Sequence, residues 1–299
     1  MHMAMGAEMI AIDMLMTIHE IWSRVYGLPV PFLWRFRQDW GFLPALDGGC
    51  ILWLIEQAAV CTLSFIPKPN GYLVGMNRDE QLTRGPARPP LVHQIAGVRT
   101  LFPVDTEGGT WIATTETGDT WAILNRNGGH RSPRNLSRGQ IVLGAVAAVG
   151  ADISALLQEV GLFNFLPFRL IGITLREERA REWVWDGEKL SLLQHAWEPK
   201  HWFSSGLSDS QAAGVREQIF AEAWRQANAG GAEWLRQAHR SHGPARGAFS
   251  VCVHRDDAAT VSFTEIEVSG TEVRMRYSPG SPCLEAKAIE RSLPVTRAK

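Results

Sequence analysis

Cys61-Thr-Leu-Ser-Phe-Ile66 and Tyr72-Leu-Val-Gly-Met76, joined by Pro67-Lys-Pro-Asn-Gly71, form the stretch that decides the fold. Two apolar runs with Asn-Gly at the turn between them predict a β-hairpin. The pattern recurs downstream. Thr110–Thr115 and Thr120–Leu124 flank Gly118 as a second hairpin, and Leu170–Leu175, Ala180–Trp185 and Leu190–His195 read as a meander with a turn at Asp186-Gly187. Ala248–His254, Thr260–Glu267 and Glu272–Tyr277 predict three closing strands. Between these groups lie helical patterns over Arg138–Val149, with Ser137 as N-cap, and over Asp152–Val160, Ser210–Ala227 and Ala232–His239. Strands joined by short turns make antiparallel sheets, and segregated helices then cover them. The expected class is α+β, a four-layer αββα sandwich of two antiparallel sheets between helical layers.

Outside this region the chain changes character. Six of the eight methionines lie in the first sixteen residues, and Trp22, Trp34, Trp40 and Trp53 follow. The expected division is therefore an N-terminal extension over 1–60, a domain over 61–284 and a polar tail over 285–299. No basic n-region marks a secretory signal. The apolar run from Cys50 to Ile66 carries Glu56 and Gln57 near its middle, which argues against an integral membrane segment. A net charge of −1 excludes the basic surplus that nucleic acid requires. Four cysteines in 299 residues, without C-x-x-C or zinc-like spacing, point to a reducing, cytoplasmic compartment and to no metal site. His239 and His242 form a close pair with no carboxylate or cysteine beside them in sequence, and read as a solvated helix end.

Phosphate loops, G-x-S-x-G elbows and H-E-x-x-H helices are absent. The chemistry-bearing segments are Cys61-Thr-Leu-Ser-Phe65, Gly75-Met-Asn-Arg-Asp-Glu80, Glu107-Gly-Gly-Thr-Trp111 with Ala122-Ile-Leu-Asn125, and Ala245-Arg-Gly-Ala-Phe249. Each has a plain alternative. A cysteine on an apolar strand is commonly a small core residue. Asp79 could cap a turn, Arg78 could pair with Glu80 or Asp105, Asn125 could be a turn residue, and Trp111 could be core.

Asn77-Arg-Asp-Glu80 is the tetrapeptide that names the NRDE (Transport and Golgi organization 2-like) family. Arg84 with Pro86–Pro90, Gly108-Gly-Thr-Trp111, Leu124-Asn125, Ser205-Gly-Leu-Ser208 and the Arg246 strand with Phe263-Thr-Glu265 resemble its further blocks in order, over roughly residues 61–280. That family resembles the N-terminal-nucleophile hydrolases, and among them the cysteine enzymes that cleave bile-salt and penicillin amides. The resemblance implies Cys61 as nucleophile, Asp79 orienting its α-amine, Asn125 in the oxyanion hole and Arg246 near the thiol. Asn77, Arg78, Trp111 and Asp209 then line the site. Asp209 stands where many relatives carry asparagine.

The implied activity is hydrolysis or transfer at an amide or acyl group of a small-molecule or lipid-like ligand, with no cofactor. The alternative is a non-catalytic carrier of haem or an acyl-CoA-like ligand, for which His93, His130 and His195 are the candidate axial ligands. An α-amine can serve as base only if Cys61 is the first residue. Autoproteolysis after Val60, or translation starting at Val60 through a GTG codon, would achieve that.

Overall fold

The computed structural model describes residues 61–127, 136–148, 152–205 and 207–296. The extension expected over 1–60, the routes that would free Cys61 from it, and His130 lie outside the described residues.

Two antiparallel sheets carry the fold. The first contains β1 (Cys61–Lys68), β2 (Gly71–Gln81), β10 (Lys200–Phe203), β11 (Ala258–Val268), β12 (Glu272–Pro279) and β13 (Ile289–Pro294), in the order β10-β1-β2-β11-β12-β13. The second places β3 (Arg88–Ile95), β4 (Val98–Val104), β5 (Ile112–Thr115), β6 (Asp119–Asn125), β7 (Phe168–Thr174), β8 (Arg179–Trp185) and β9 (Leu190–His195) side by side in chain order, with two helices inserted between β6 and β7. The β1–β2 hairpin turns where its sequence placed it, with Asn70 at a φ of 60°. Asn tolerates this left-handed backbone better than most side chains.

Residue alternation sorts β1 and β2 onto two faces. Tyr72 faces the other sheet, where its hydroxyl donates to the Gly118 carbonyl and lies 2.8 Å from Thr120 Oγ1. Phe65 meets Tyr72 edge-on on the same side. The opposite face packs on helices α3 (Asp209–Ala223) and α4 (Ala232–His239). Ile66, Leu73, Phe203, Phe220, Trp234, Leu235 and Val251 form the core there. Gly75 eases this contact, because a Cβ would lie a tight 3.0 Å from both His239 Nε2 and Leu235 Cγ and would push those side chains back. Helix α1 (Gly139–Ala147) covers β5 and β6 of the second sheet, and α2 (Ile153–Glu159) follows it. Gly109 and Gly139 allow the first approach, since a Cβ on Gly109 would lie 2.9 Å from Gly139 Cα. The layers run helices, sheet, sheet, helices, which is the αββα sandwich expected.

Several local expectations are corrected. The tail over 285–299 contains β13, which pairs with β12 from Tyr277↔Ile289 to Glu272↔Pro294 and buries Leu293. Residues 248–254 are not a strand but turns and a single bridge, His254↔Ala259. Their amides bond elsewhere: Cys252 N–H to Ser241 O, His254 N–H to Gly247 O, and Val253 N–H to Thr260 Oγ1. His239 is fully buried rather than solvated, with Nε2 2.9 Å from Ser64 Oγ and Nδ1 3.1 Å from Asn77 Oδ1. No helix among the described residues is long and apolar enough to cross a membrane.

Candidate functional site

Cys61 opens β1, which has a hydrogen-bonded neighbour on each side, β2 and β10. Its N–H donates to Ser204 Oγ at 2.9 Å, and its carbonyl accepts from Ser204 N–H at 3.0 Å. Cys61 pairs with Arg78, so both side chains point between the sheets. The thiol is buried, and burial pushes it up to about 12, helped by the negative charge of Asp79. The Asp79 N–H, which donates to the Cys61 side chain, and the Arg78 charge act in the opposite direction. In a chain continuous through Val60 the sulfur is therefore a thiol at neutral pH.

Asp79 lies on the helix-facing side of β2 and is almost fully buried. Burial raises its carboxyl to about 7, while the positive charge of Arg216 and a hydrogen bond from Thr260 Oγ1 to Oδ1 pull it back. Oδ2 is buried with no hydrogen-bond partner. The Thr260 contact depends on a bulge in β11, where Thr260 pairs with Asp79 and Ser262 with Arg78, leaving Val261 out of register. In an unbulged ladder Val261 would stand opposite Asp79 and could donate nothing.

The guanidinium beside the start of β1 belongs to Arg216, on α3. It is fully buried. Nη1 donates to Cys61 O, Thr62 Oγ1 and Ser204 O at 3.1–3.4 Å, and Nε donates to Phe249 O and Ser250 O. Nη2 has no partner. Burial lowers the Arg216 pKa, against the charges of Asp79, Cys61 and Asp209. Arg246, the arginine expected here, sits instead on an exposed loop with Nη2 3.2 Å from His254 Nδ1. Sequence reading missed Arg216, although a signal existed. Ala212, Arg216 and Phe220 recur every four residues and are the buried positions of α3, so one arginine occupies an otherwise apolar stripe.

The other expected residues divide. Asn77 is not a lining group: its amide donates to His239 O and Val251 O, and fixes α4 to β2. Arg78 stacks over the Trp111 ring at 4.4 Å and pairs with Glu80 at 3.0 Å. Trp111 is buried between the sheets. Asn125 ends β6, which approaches β1 across the sandwich. Two residues on, the Asn127 side chain donates to Ser205 O, next to the serine that holds Cys61. Asp209 accepts from Ser205 N–H at 2.6 Å and Asn127 N–H at 3.0 Å, so two backbone dipoles already meet its charge. His195 Nε2 is 2.8 Å from Glu182, and His93 stacks on Phe102.

A groove lined by Asp119, Trp121, Asp152 and Trp183 opens beside α2, and none of the site residues lines it. The polar constellation at the start of β1 is the candidate site. It gathers a sulfur, a carboxylate with one oxygen unused and a buried cation.

Solved structures similar to the chain include penicillin V acylase from Agrobacterium tumefaciens, at 10% identity over 73% of this chain and 82% of that one, with a TM-score of 0.41. A mutant of conjugated bile acid hydrolase from Clostridium perfringens aligns at 9% identity over 80% and 98%, with a TM-score of 0.40. A second variant of that hydrolase gives 10%, the same coverage and 0.41. No curated protein matches the chain. The profile of the family described as Transport and Golgi organisation 2 matches residues 61–247, starting at the cysteine that opens β1 and covering more than half of the sequence; the chain belongs to that family.

Proposed function

We propose that this protein is an N-terminal cysteine hydrolase acting on an amide or acyl substrate, and that Cys61 is its first residue when active. The observation that carries the reading is Asp79 Oδ2, a buried carboxylate oxygen with nothing to accept, on a residue whose charge acts directly on Cys61. A buried orphan acceptor is costly. A free α-amine at Cys61 would bring further N–H donors beside the Ser204 contact, and we assign one of them to Oδ2. The amine takes the thiol proton, directly or through one water, and the thiolate attacks the carbonyl carbon. Asn125 is the side chain we assign to the oxyanion. As the C–N or acyl–X bond breaks, the ammonium returns the proton to the leaving group. Water then hydrolyses the thioester and regenerates the thiol. Arg216 fixes the Cys61 backbone and biases the pocket toward anions. Asp209, already bonded to two amides, holds the Asn127 loop against the start of α3.

The test is the intact mass of protein made from its native gene, with assays on N-acyl amides and thioesters. We expect a chain beginning at Cys61 and turnover that Cys61→Ala lowers by roughly a thousandfold or more. A mature chain that begins upstream and still turns over substrate would overturn the amine-as-base mechanism. An upstream start with no turnover would leave the same site to a carrier of an acyl-CoA-like or haem ligand.

A further inference from the structure

Four residues from three segments of the chain converge behind the candidate site. His242 follows α4, Cys252 and His254 lie two apart in the turn-rich segment before β11, and Cys283 sits in the short 3-10 turn Pro282–Leu284. One ligand atom from each falls within 4.8 Å of all the others. Three of the separations meet at His254 Nε2. It is 3.1 Å from His242 Nε2, 3.5 Å from Cys252 Sγ and 3.4 Å from Cys283 Sγ. A tetrahedral zinc ion with ordinary bond lengths has N···N edges of about 3.3 Å and N···S edges of about 3.5 Å. The observed separations match those edges. A nitrogen with either one lone pair or one hydrogen cannot satisfy three such neighbours, whereas one cation at their centre satisfies all four.

We propose that His242, Cys252, His254 and Cys283 bind one Zn2+ as a closed Cys2His2 centre. Four protein ligands leave no open position, so the centre is structural rather than catalytic. What it holds is specific. The segment it ties down gives Phe249 O and Ser250 O to Arg216, Val251 O to Asn77, and the Val253 N–H to Thr260, the residue that bonds Asp79. Cys252 N–H also bonds Ser241 O, joining the two ligand-bearing segments. Arg246 is the competitor. A guanidinium only donates, so its contact requires an unprotonated Nδ1 on His254, whereas a neutral ring bound to metal through Nε2 carries its proton there. Arg246 is exposed and can turn outward when the metal binds. The spacing His242-x9-Cys252-x-His254-x28-Cys283 matches no familiar zinc signature, which is why the sequence did not disclose it.

The proposal is independent of the hydrolase reading, because its readout is metal content. The full chain, free of any histidine tag, is purified reduced from zinc-replete cells and analysed for metal, then exchanged with Co2+. We expect about one zinc per chain, and cobalt spectra showing tetrahedral ligand-field bands with thiolate charge transfer. Cys252→Ser should abolish both. If that variant does not fold, His242→Cys keeps four ligands and should retain the metal, with thiolate charge transfer raised by about one half, from two sulfurs to three. Arg246→Ala should not weaken binding. A folded wild-type chain without stoichiometric metal, or a Cys252–Cys283 disulfide found in the reduced preparation, overturns the proposal.

Discussion

Burial raises the Asp79 carboxyl from 3.8 to about 7 even with Arg216 pulling the other way. A carboxyl whose folded pKa is raised binds its proton more tightly in the folded chain, so the group favours folding at acid pH. That contribution is lost as pH rises from about 4 to about 7 and stays lost above. Three pKa units correspond to on the order of 4 kcal/mol. Asp79→Asn removes the titration while keeping the shape. Its stability relative to the natural chain should therefore be higher at pH 8 than at pH 4 by about that amount, read from urea unfolding at the two values. Equal differences at both pH values would mean that Asp79 is ionised throughout. The residue scale is also where sequence reading was least complete. That Cys61 and Asp79 lie beside each other was legible, because they fall at the start and near the end of the two strands of a recognisable hairpin, whereas their roles came from the family resemblance. Arg216 was not, because a basic residue in a polar helix announces burial only through its four-residue spacing from Ala212 and Phe220.

Among the elements, the bulge in β11 does the positioning, by bringing Thr260 rather than Val261 opposite Asp79. Thr260 Oγ1 donates to Asp79 and accepts from Val253 N–H at 2.8 Å. Thr260→Val preserves shape and removes both bonds. It should raise the Asp79 titration above about 7 and cost about 1–3 kcal/mol at pH 8, with Thr260→Ser restoring most of it. An unchanged titration, followed by the carboxyl signal in NMR, would remove the bulge from the account. Hairpins and meander were readable because Asn70-Gly71, Gly118 and Asp186-Gly187 mark turns between apolar runs. Four strands were not. β3 contains Pro89 and Pro90, which normally argue against a strand but are tolerated at the edge of the sheet that it occupies. β4 follows it through the short turn Ala96-Gly97, whose residues both have positive φ. β10 has only four residues and is held by its neighbour β1, and β13 buries little beyond Leu293. The segment 248–254 failed in the opposite sense. Its alternation is strand-like, but its amides answer to Ser241, Gly247 and Thr260 rather than to a neighbouring strand.

For the whole molecule, the position of β1 inside its sheet decides whether a chain starting at Cys61 can work. Strands β2 and β10 bond it from either side, and Arg216 and Ser204 grip its first residue, so an end placed there removes none of the described pairing. What changes is charge. The peptide N–H of Cys61 becomes an amine, protonated below about pH 8 in its ordinary state. It appears on the residue that already feels Asp79 most strongly of all charges. An opposite charge at that distance favours the carboxylate, so the Asp79 titration should move down from about 7. The same amine opposes the burial that pushes the thiol to about 12, so the sulfur should titrate lower too. A chain made to begin at Cys61 should therefore lose less stability between pH 4 and 7 than the 299-residue chain. It should also react faster with iodoacetamide at pH 8. Both measurements need only the purified chains, with no substrate in hand. Identical pH slopes and identical alkylation rates would mean that the freed amine does not reach Asp79 or the sulfur, and the unpaired carboxylate oxygen would then require a different occupant.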